Sequence, residues 1–265
     1  MGENKIALEV REMSVRFGGL LANDSVSFKV EEGAFYGLIG PNGAGKTTVF
    51  NTITGSVAPT EGDILFCGDS LLKKRPDQIA AMGISRTFQN IRLFSQMTAQ
   101  ENVEIGMHTR PKYSRLSAAL GLPIVRRTER EVRQKAAELL ERLNLLPYQD
   151  MKAGNLPYGI QRKLEIARAL ATQPRLLLLD EPAAGMNNDE CGELVNLLTR
   201  IHKDFGLTIV LIEHHMDVVV ELCDRICVLN LGKVLTEDAP RQVQDDPRVI
   251  AAYLGNRRQV IEDGE

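Results

Sequence analysis

The segment Gly40–Thr48 (GPNGAGKTT) has the residue types and spacing of a phosphate-binding loop. It fits the pattern G-x-x-x-x-G-K-[ST], with Gly40, Gly45, Lys46 and Thr47 at the fixed positions. Glycines let successive backbone N–H groups turn toward phosphate oxygens, and a following helix adds the positive end of its dipole. In this pattern the lysine reaches the terminal phosphates and the Thr47 hydroxyl can hold Mg²⁺. The predicted nucleotide-binding residues are Gly40, Pro41, Asn42, Gly43, Ala44, Gly45, Lys46, Thr47 and Thr48.

An ordinary glycine-rich turn is the alternative for this segment, and the flanking residues argue against it. Ala34–Ile39 is apolar and predicts a strand, whereas Thr47–Ile53 predicts the start of a helix. A strand, a glycine-rich loop and a helix form the context that the phosphate-binding pattern requires.

Three acidic residues and two histidines follow two apolar segments that predict buried strands. Four leucines precede Asp180 and Glu181, and Leu207–Ile212 precedes Glu213, His214 and His215. Carboxylates at the carboxyl end of a parallel strand lie where open α/β sheets bind ligands. Asp180 is therefore placed for Mg²⁺ on nucleotide phosphates, and Glu181 to orient or deprotonate a water molecule. A lone histidine at such a strand end is more often structural, so the residues alone leave the role of His214 open.

Phe17 and Gln89 are two further candidates for the nucleotide site, and for each of them an ordinary structural role is a strong alternative. Phe17 precedes Lys46 in the chain and could stack on a nucleotide base, or it could be a core phenylalanine. Gln89 follows the strand-like segment Ile84–Phe88, where a glutamine is usually a polar loop residue. From the residues alone both alternatives stay open.

Composition restricts the class of protein. The chain has 265 residues, enough for one large α/β domain with an appended subdomain. With 43% apolar and 25% charged residues it is ordinary for a globular protein. A net charge of −3 gives no sign of a protein that mainly holds nucleic acid. We expect no secretory signal and no membrane-spanning segment, because no long apolar run is present.

The four cysteines do not have the spacing of a metal-ligand cluster. Cys67 and Cys191 are isolated in the sequence, and no second pair or histidine cluster accompanies Cys223 and Cys227. The last two are predicted to be small core residues in a reduced, cytosolic protein.

Hydrophobic periodicity predicts the remaining elements. Besides those above, the predicted strands are Ile6–Phe17 and Val26–Val30, joined by a turn over GGLLANDS, and Arg225–Leu231 and Lys233–Thr236. The predicted helices are Pro76–Met82, Glu129–Leu146, one starting near Tyr158 or Gly159, Asn188–Phe205, Pro240–Asp246 and Arg248–Leu254. The basic stretch Met107–Thr128 is predicted to be irregular, and the charged tail after Gly255 to be mobile.

The loop at Gly40–Thr48, Gln89, the LPYGIQR segment, LLLLDEP and His214 occur in the order and approximate spacing of ATP-binding cassette ATPases, which the whole chain resembles. NLPYGIQRKLEIARAL, DEPAAGMN, LIEHHMDVV and DPRVIAAYLG look more narrowly like the ATPase subunits of branched-chain amino acid importers. This resemblance implies an α/β fold: a P-loop NTPase core with a parallel sheet, an N-terminal antiparallel β subdomain and an inserted helical subdomain. It implies one domain over 1–265, with the core in 1–90 and 161–238, the helical subdomain in 91–160, and C-terminal helices and tail in 239–265.

The resemblance also implies roles. ATP and Mg²⁺ are the expected cofactors, with Phe17 on the adenine, Lys46 on the phosphates, and Thr47, Gln89 and Asp180 at the metal, Asp180 through water. Glu181 would polarise the attacking water and His214 would contact the γ-phosphate. The signature segment that completes a partner's ATP site would be Leu156, Pro157, Tyr158, Gly159, Ile160 and Gln161.

The expected partners are integral membrane permease subunits, a second ATPase of the same fold and, indirectly, a periplasmic or extracellular substrate-binding protein. The chain would lie peripherally at the cytoplasmic face of the inner membrane. A groove lined by Leu93, Phe94 and Met97 would receive a cytoplasmic helix of the permease. Similar subunits energise urea or lipopolysaccharide transport, and these are the alternative substrates. A soluble cassette ATPase acting on DNA or ribosomes and a nucleotide sensor without turnover are the competing classes. Neither a second cassette nor a long coiled-coil insertion is visible, and a sensor needs no water-orienting Glu181.

The signature segment departs from the common pattern Leu-Ser-Gly-Gly-Gln. Pro157 replaces the serine and has neither its hydroxyl nor a backbone N–H, and Ile160 replaces the glutamine. Because this segment acts on the ATP held by the partner, the departure weakens the partner's site. The sequence therefore predicts an asymmetric heterodimer in which this chain's own site does most of the hydrolysis.

Overall fold

The computed structural model describes residues 5–108 and 123–253. Their contacts divide them into two compact units, one built from residues 5–86 and 175–253 and the other from 87–174. We call them the core unit and the helical unit. The division falls at Arg86 and Arg175, whereas the sequence prediction placed its boundaries at 90 and 160. The helix after residue 157 is the reason, because it packs with the helices of residues 99–107 and 123–142.

The core unit contains ten strands in two sheets. The strands are β1 (Ile6–Phe17), β2 (Leu20–Glu31), β3 (Phe35–Ile39), β4 (Glu61–Phe66), β5 (Asp69–Ser70), β6 (Ile84–Arg86), β7 (Leu176–Asp180), β8 (Thr208–Ile212), β9 (Arg225–Asn230) and β10 (Lys233–Asp238). One sheet is antiparallel with the order β2-β1-β4-β5, and the other has the order β10-β9-β3-β8-β7-β6. In the second sheet β3 and β6 to β9 run parallel, and only β10 is antiparallel. This confirms the predicted fold class.

Strand β2 corrects one prediction. We expected a turn over residues 18–25, but only Gly18 and Gly19 form it, and β2 begins at Leu20. The polar residues that resembled a turn are used in pairing: the Asp24 N–H donates to Gly232 O at 2.9 Å, and Lys233 Nζ lies 2.9 Å from the Asp24 carboxylate. Tertiary contacts therefore outweigh the local turn preference of these residues.

Strands β3, β7 and β8 are buried along their whole length. An apolar strand flanked by two others in a parallel sheet is covered on both faces, which explains the unbroken leucines of β7. The parallel register sets Asp180, the last residue of β7, opposite Ile212, the last residue of β8. The residues that follow both strands therefore emerge at the same sheet edge.

The helices of the core unit are α1 (Lys46–Ile53), α2 (Pro76–Met82), α6 (Asn188–Phe205), α7 (Met216–Leu222), α8 (Pro240–Asp245) and the helical residues 247–253. Helix α7 was not predicted from the sequence, and the others lie close to the predicted bounds. Leu254 and the tail after Gly255 lie outside the described residues. Helix α6 begins with a capping box in which Asn187 and Glu190 exchange hydrogen bonds, and it ends at Gly206 with φ 59°.

The helical unit contains α3 (Ala99–Met107), α4 (Pro123–Arg142) and α5 (Tyr158–Ala171), with short 3₁₀ turns at Leu146–Tyr148 and Ala153–Asn155. Helices α3 and α5 approach closely at Gly106, where a Cβ would lie 2.6 Å from Arg168 O. Helix α4 was predicted as Glu129–Leu146. It ends earlier because Asn144 adopts φ 58° and the Leu145 N–H turns back to Leu140 O at 2.7 Å.

The predicted irregular stretch Met107–Thr128 is wrong where the structure describes its second part, since residues 123–128 are helical. Pro123 was taken as a helix breaker, but proline fits the first turn of a helix and arginine favours helices. Residues 109–122 lie outside the described residues.

One other expectation is confirmed. Cys223 and Cys227 are buried core residues, and burial raises the pKa of the Cys227 thiol to about 12. Among the described residues, every helix is too short or too polar to cross a bilayer.

Candidate nucleotide site

Backbone conformation in the loop between β3 and α1 requires glycine at two fixed positions of the motif. Gly40 has φ 148° and a Cβ there would lie 2.1 Å from Leu229 O. Gly45 has φ 97° and a Cβ would lie 2.5 Å from Asn23 Nδ2 and 2.7 Å from Ala22 O. Any side chain would therefore displace β9 or β2 from the loop.

The loop presents unused backbone donors. None of the described residues accepts a hydrogen bond from the N–H groups of Gly43, Gly45 or Lys46, and Gly43 is exposed with open space at its Cβ position. These donors lie at or just before the start of α1, where a helix leaves its first N–H groups unpaired. They form a positively polarised cradle for an anion, which fits a phosphate group.

The Lys46 ammonium is held inside this loop. Its Nζ donates to Gly40 O at 2.7 Å and to Pro41 O at 2.9 Å, and the residue is only 5% exposed. Burial lowers the pKa of the Lys46 amino group, and the charges of Glu181 and Asp180 oppose that shift. An ammonium has three N–H donors, and the two carbonyls account for two of them. The group is therefore oriented for an anionic ligand before one binds.

Asp180 is paired with an arginine that the sequence analysis did not single out. Arg86 Nη2 lies 2.6 Å from Asp180 Oδ2, and the two side chains are 7% and 3% exposed. Arg86 Nη1 donates to Asn51 Oδ1 at 2.7 Å, and its guanidinium lies over the Phe50 ring at 5.4 Å. An arginine at the end of a short segment that predicts a strand was the available signal, because a buried guanidinium needs an anion.

Glu181 and His214 are brought together. His214 Nε2 lies 3.0 Å from Glu181 Oε1, and the ring nitrogen donates because a carboxylate only accepts. Glu181 has φ 48°, an unusual conformation for a residue with a side chain, and its N–H donates to Ile212 O at 2.9 Å. Strained backbone of this kind is often found where a side chain must be aimed at a reacting group.

Phe17 and Thr47 lie where a bulky ligand could reach them. Phe17 ends β1 and is 48% exposed, so it is not a core phenylalanine. Thr47 lies exposed in the first turn of α1. Magnesium is usually bound by one or two protein oxygens together with phosphates and waters, and the donor set of Thr47 and Asp180 fits that chemistry. Among the described residues there is no group of three His, Cys, Asp or Glu side chains that would form an all-protein metal site.

Gln89 belongs to the helical unit, as does the predicted signature. The backbone around Gln89 is held by a fully buried ion pair on α5: Arg162 Nη1 lies 2.9 Å from Glu165 Oε2, with side chains 0% and 1% exposed. Arg162 also donates to Phe88 O at 2.7 Å and to Gln89 O at 2.8 Å, and Glu165 accepts from the Arg92 N–H at 3.2 Å. Sequence analysis missed this pair, although opposite charges three residues apart on an apolar helix face were a signal.

The signature segment forms the start of α5. Pro157 occupies the N-cap position with φ −55° and ψ 150°, and its carbonyl accepts the Gln161 N–H at 2.9 Å. Leu156 is buried, whereas Tyr158 is 46% exposed. The N-terminus of α5 thus lacks a capping hydroxyl, and the first residue of the helix is an exposed tyrosine.

Similarity to known proteins identifies the family to which the chain belongs. The pattern of the family described as "ABC transporter" matches residues 23–184. The chain is also 46% identical to the high-affinity branched-chain amino acid transport ATP-binding protein BraF of Pseudomonas aeruginosa, over 94% of this chain and 97% of that protein. The chain belongs to the ATP-binding cassette transporter family. Within the family, this cassette is of the branched-chain amino acid type, since that narrower pattern matches residues 233–258.

Similarities of the cassette to another protein sequence and to solved structures agree with this family. It is 46% identical to the high-affinity branched-chain amino acid transport ATP-binding protein LivG of Escherichia coli K12, over 94% of this chain and 97% of LivG. A crystal structure of the ADP conformation of an ATP-binding cassette of an ABC transporter matches with a TM-score of 0.82 and 33% identity, covering 94% of this chain and 99% of that one. CbiO1 from Clostridium perfringens, part of the transporter complex CbiONQ, matches with a TM-score of 0.79 and 26% identity, covering 97% and 99%.

Proposed function

We propose that this cassette hydrolyses ATP to energise a membrane importer of branched-chain amino acids. One observation carries the catalytic part: Glu181 and His214 are in contact at 3.0 Å on the sheet edge that also holds Asp180. The substrate class rests on the similarity to BraF and LivG and on the C-terminal match.

Each residue of the site has a proposed task. The donors of Gly43, Gly45 and Lys46 would bind phosphate oxygens, and the Lys46 ammonium would neutralise their charge. Glu181 would orient and polarise the attacking water as a general base. His214, now bonded to Glu181, would donate its N–H to the γ-phosphate.

The remaining site residues are proposed to act at the base and the metal. Phe17 would stack on the adenine. Mg²⁺, when bound, supplies charge neutralisation at the phosphates, and Thr47 and Asp180 are the residues of the core unit proposed to hold it.

The proposed partners are integral membrane permease subunits, a second and different cassette ATPase and, through the permease, a substrate-binding protein; in isolation, a dimer of two copies of this chain is the alternative pairing. The cassette would lie at the cytoplasmic face of the membrane. Phe94 is 49% exposed and is proposed to contact a permease helix together with Leu93 and Met97. A large exposed aromatic ring is typical of a protein interaction site.

The signature geometry supports an asymmetric pair of ATP sites. Pro157 at the N-cap of α5 offers neither hydroxyl nor N–H, so the only donors that α5 can aim at a partner's phosphate come from later positions. We therefore propose that this chain's own site, completed by the partner's signature, performs most of the hydrolysis.

The test is transport by the assembled complex. The complex would be purified from its native membranes through a tag on this chain, reconstituted in liposomes, and supplied with ATP and either labelled leucine or labelled urea. Leucine uptake that is lost in Glu181→Gln supports the proposal, and urea uptake would replace the substrate assignment. Recovery of soluble partners or nucleic acid without a permease would contradict the transport role.

A further inference from the structure

The side chain of Glu213 is almost completely buried beside the catalytic pair, and both of its oxygens accept hydrogen bonds from backbone. Glu213 is 1% exposed and directly follows β8. Its Oε1 accepts from the Ala183 N–H at 2.7 Å. Its Oε2 accepts from the N–H groups of His214 at 2.7 Å and His215 at 3.2 Å, and His215 Nδ1 lies 3.3 Å away. One carboxylate thus joins two separate segments of the chain.

The first segment is the turn that aims Glu181. Within it the Ala184 N–H donates to Glu181 O at 3.1 Å, and the Met186 N–H donates to Ala183 O at 3.1 Å. Ala183 lies inside this turn, two residues after Glu181. Because Glu181 has φ 48°, the direction of its side chain depends on the surrounding turn holding that conformation.

The second segment is the loop that carries His214. The Glu213 carboxylate fixes the backbone N–H of His214 itself, while the imidazole of the same residue contacts Glu181. The Glu213 carboxylate, the His214 ring and the bond from Glu181 N–H to Ile212 O all join the two segments. Of these, only the carboxylate bonds the interior of the Glu181 turn.

We propose that Glu213 is a positioning residue for ATP hydrolysis, whose carboxylate holds the Glu181 turn and the His214 loop in a single arrangement. The inference rests on the proposed function, because it concerns the alignment of the same water-orienting and phosphate-contacting groups. A glutamine has the same shape but only one oxygen, so its NH₂ would face backbone N–H donors on one of the two segments. That segment would move, and a displacement of about 1 Å near reacting groups can lower a rate by about 100-fold.

A purely stabilising role is the alternative, and the other end of β8 provides a matched control. Thr208 is 1% exposed, and its hydroxyl accepts the Gly33 N–H at 2.9 Å, away from the catalytic edge. Thr208→Val removes a buried hydrogen-bond acceptor from the same strand without touching Glu181 or His214. Both substitutions are expected to lower the melting temperature.

The experiment compares Glu213→Gln, Thr208→Val and the wild type in the full transporter complex. Melting temperature, kcat and KM for ATP hydrolysis in the presence of Mg²⁺ are measured for each. We expect Glu213→Gln to lower kcat by at least about 10-fold with KM changed by less than about threefold, because alignment and not binding is lost. Thr208→Val should keep kcat within about twofold of wild type at a similar loss of melting temperature.

A kcat within twofold of wild type for Glu213→Gln would overturn the inference, as would equal losses of kcat in both variants. If Glu213→Gln does not assemble, Glu213→Asp takes its place, since it retains the charge but is one methylene too short to bond both segments. Absence of ATP hydrolysis in the wild-type complex would instead contradict the proposed function, so the two failures are distinguishable.

Discussion

In the core unit, the contact between Glu181 and His214 at the sheet edge is partly exposed, whereas in the helical unit the ion pair of Arg162 and Glu165 is buried. Glu181 and His214 have side chains 16% and 35% exposed, while Arg162 and Glu165 are 0% and 1% exposed. The first pair contacts through one hydrogen bond, and the second is completed by backbone groups of residues 88–92. This difference is expected if the first pair acts in the proposed hydrolysis and the second stabilises the fold.

The largest expected effect is a loss of ATP hydrolysis in the core unit without a loss of stability. Glu181→Gln should lower ATP hydrolysis by the assembled complex by about 10²–10⁴-fold, the usual contribution of a general base. Its melting temperature should stay close to that of the wild type, because the amide can still accept the His214 N–H. Steady-state phosphate release and thermal denaturation provide the two measurements. Hydrolysis near the wild-type rate would refute both the role of Glu181 and the dominance of this chain's site.

The next largest effect concerns the helical unit, where we expect a loss of stability and not of chemistry. Arg162→Met should lower the free energy of unfolding by about 3–5 kcal/mol, because Glu165 is then buried without its counter-ion. Glu165→Gln should cost less, and the double variant less than the sum, since each single change already removes the pair. Denaturant unfolding of all three variants gives this cycle. Additive losses would mean that the two charges do not interact and that the comparison between the units fails.

A smaller effect on ATP hydrolysis is expected from changes in the signature segment. Pro157→Ser restores a hydroxyl and an N–H at the start of α5, yet it should change total hydrolysis by no more than about threefold, because the partner's site contributes little. Pro157→Ala is the matched control, since it restores the N–H alone. Phosphate release by the complex is again the readout. An increase of about 10-fold or more would show that the proline limits hydrolysis and would contradict the asymmetry.

The smallest expected effect concerns a surface carboxylate, Glu9, which pairs with Arg11 and Lys29. Hydrogen bonds from Arg11 and Lys29 lower the pKa of Glu9 from 4.5 to about 2. A depressed carboxyl pKa stabilises the fold above the unfolded pKa, and this contribution is lost as the pH falls from about 4.5 through 2. Glu9→Gln should therefore lower stability at pH 7 by at most about 1 kcal/mol, because Arg11 and Lys29 are exposed.

Thermal denaturation of wild type and Glu9→Gln from pH 7 to pH 2 checks this prediction. The two curves should converge toward the acid end. A difference in melting temperature that grows as the pH falls would have the wrong sign.

Sequence patterns located most of the elements because their signals are local. Helix α2 and strand β1 were predicted to the residue, as glycines and prolines at their ends fix the backbone independently of the rest of the fold. Strand β2 and helix α4 were misjudged at their ends. In β2 the polar residues pair with β10 and its turn, and in α4 the helix stops at a left-handed Asn144 that no periodicity indicates.

The residues of the candidate nucleotide site were predicted from the sequence alone, because a phosphate loop and strand-end carboxylates require fixed residue types at fixed spacing. Tertiary structure decided which groups they contact. Arg86 at Asp180, Glu213 between two loops, and Arg162 under Gln89 join residues that lie 94, 30 and 73 positions apart in the chain. Such contacts depend on how β6, β7 and β8 line up in the sheet and on which carbonyls of residues 88–92 face α5. Neither is encoded in any local pattern.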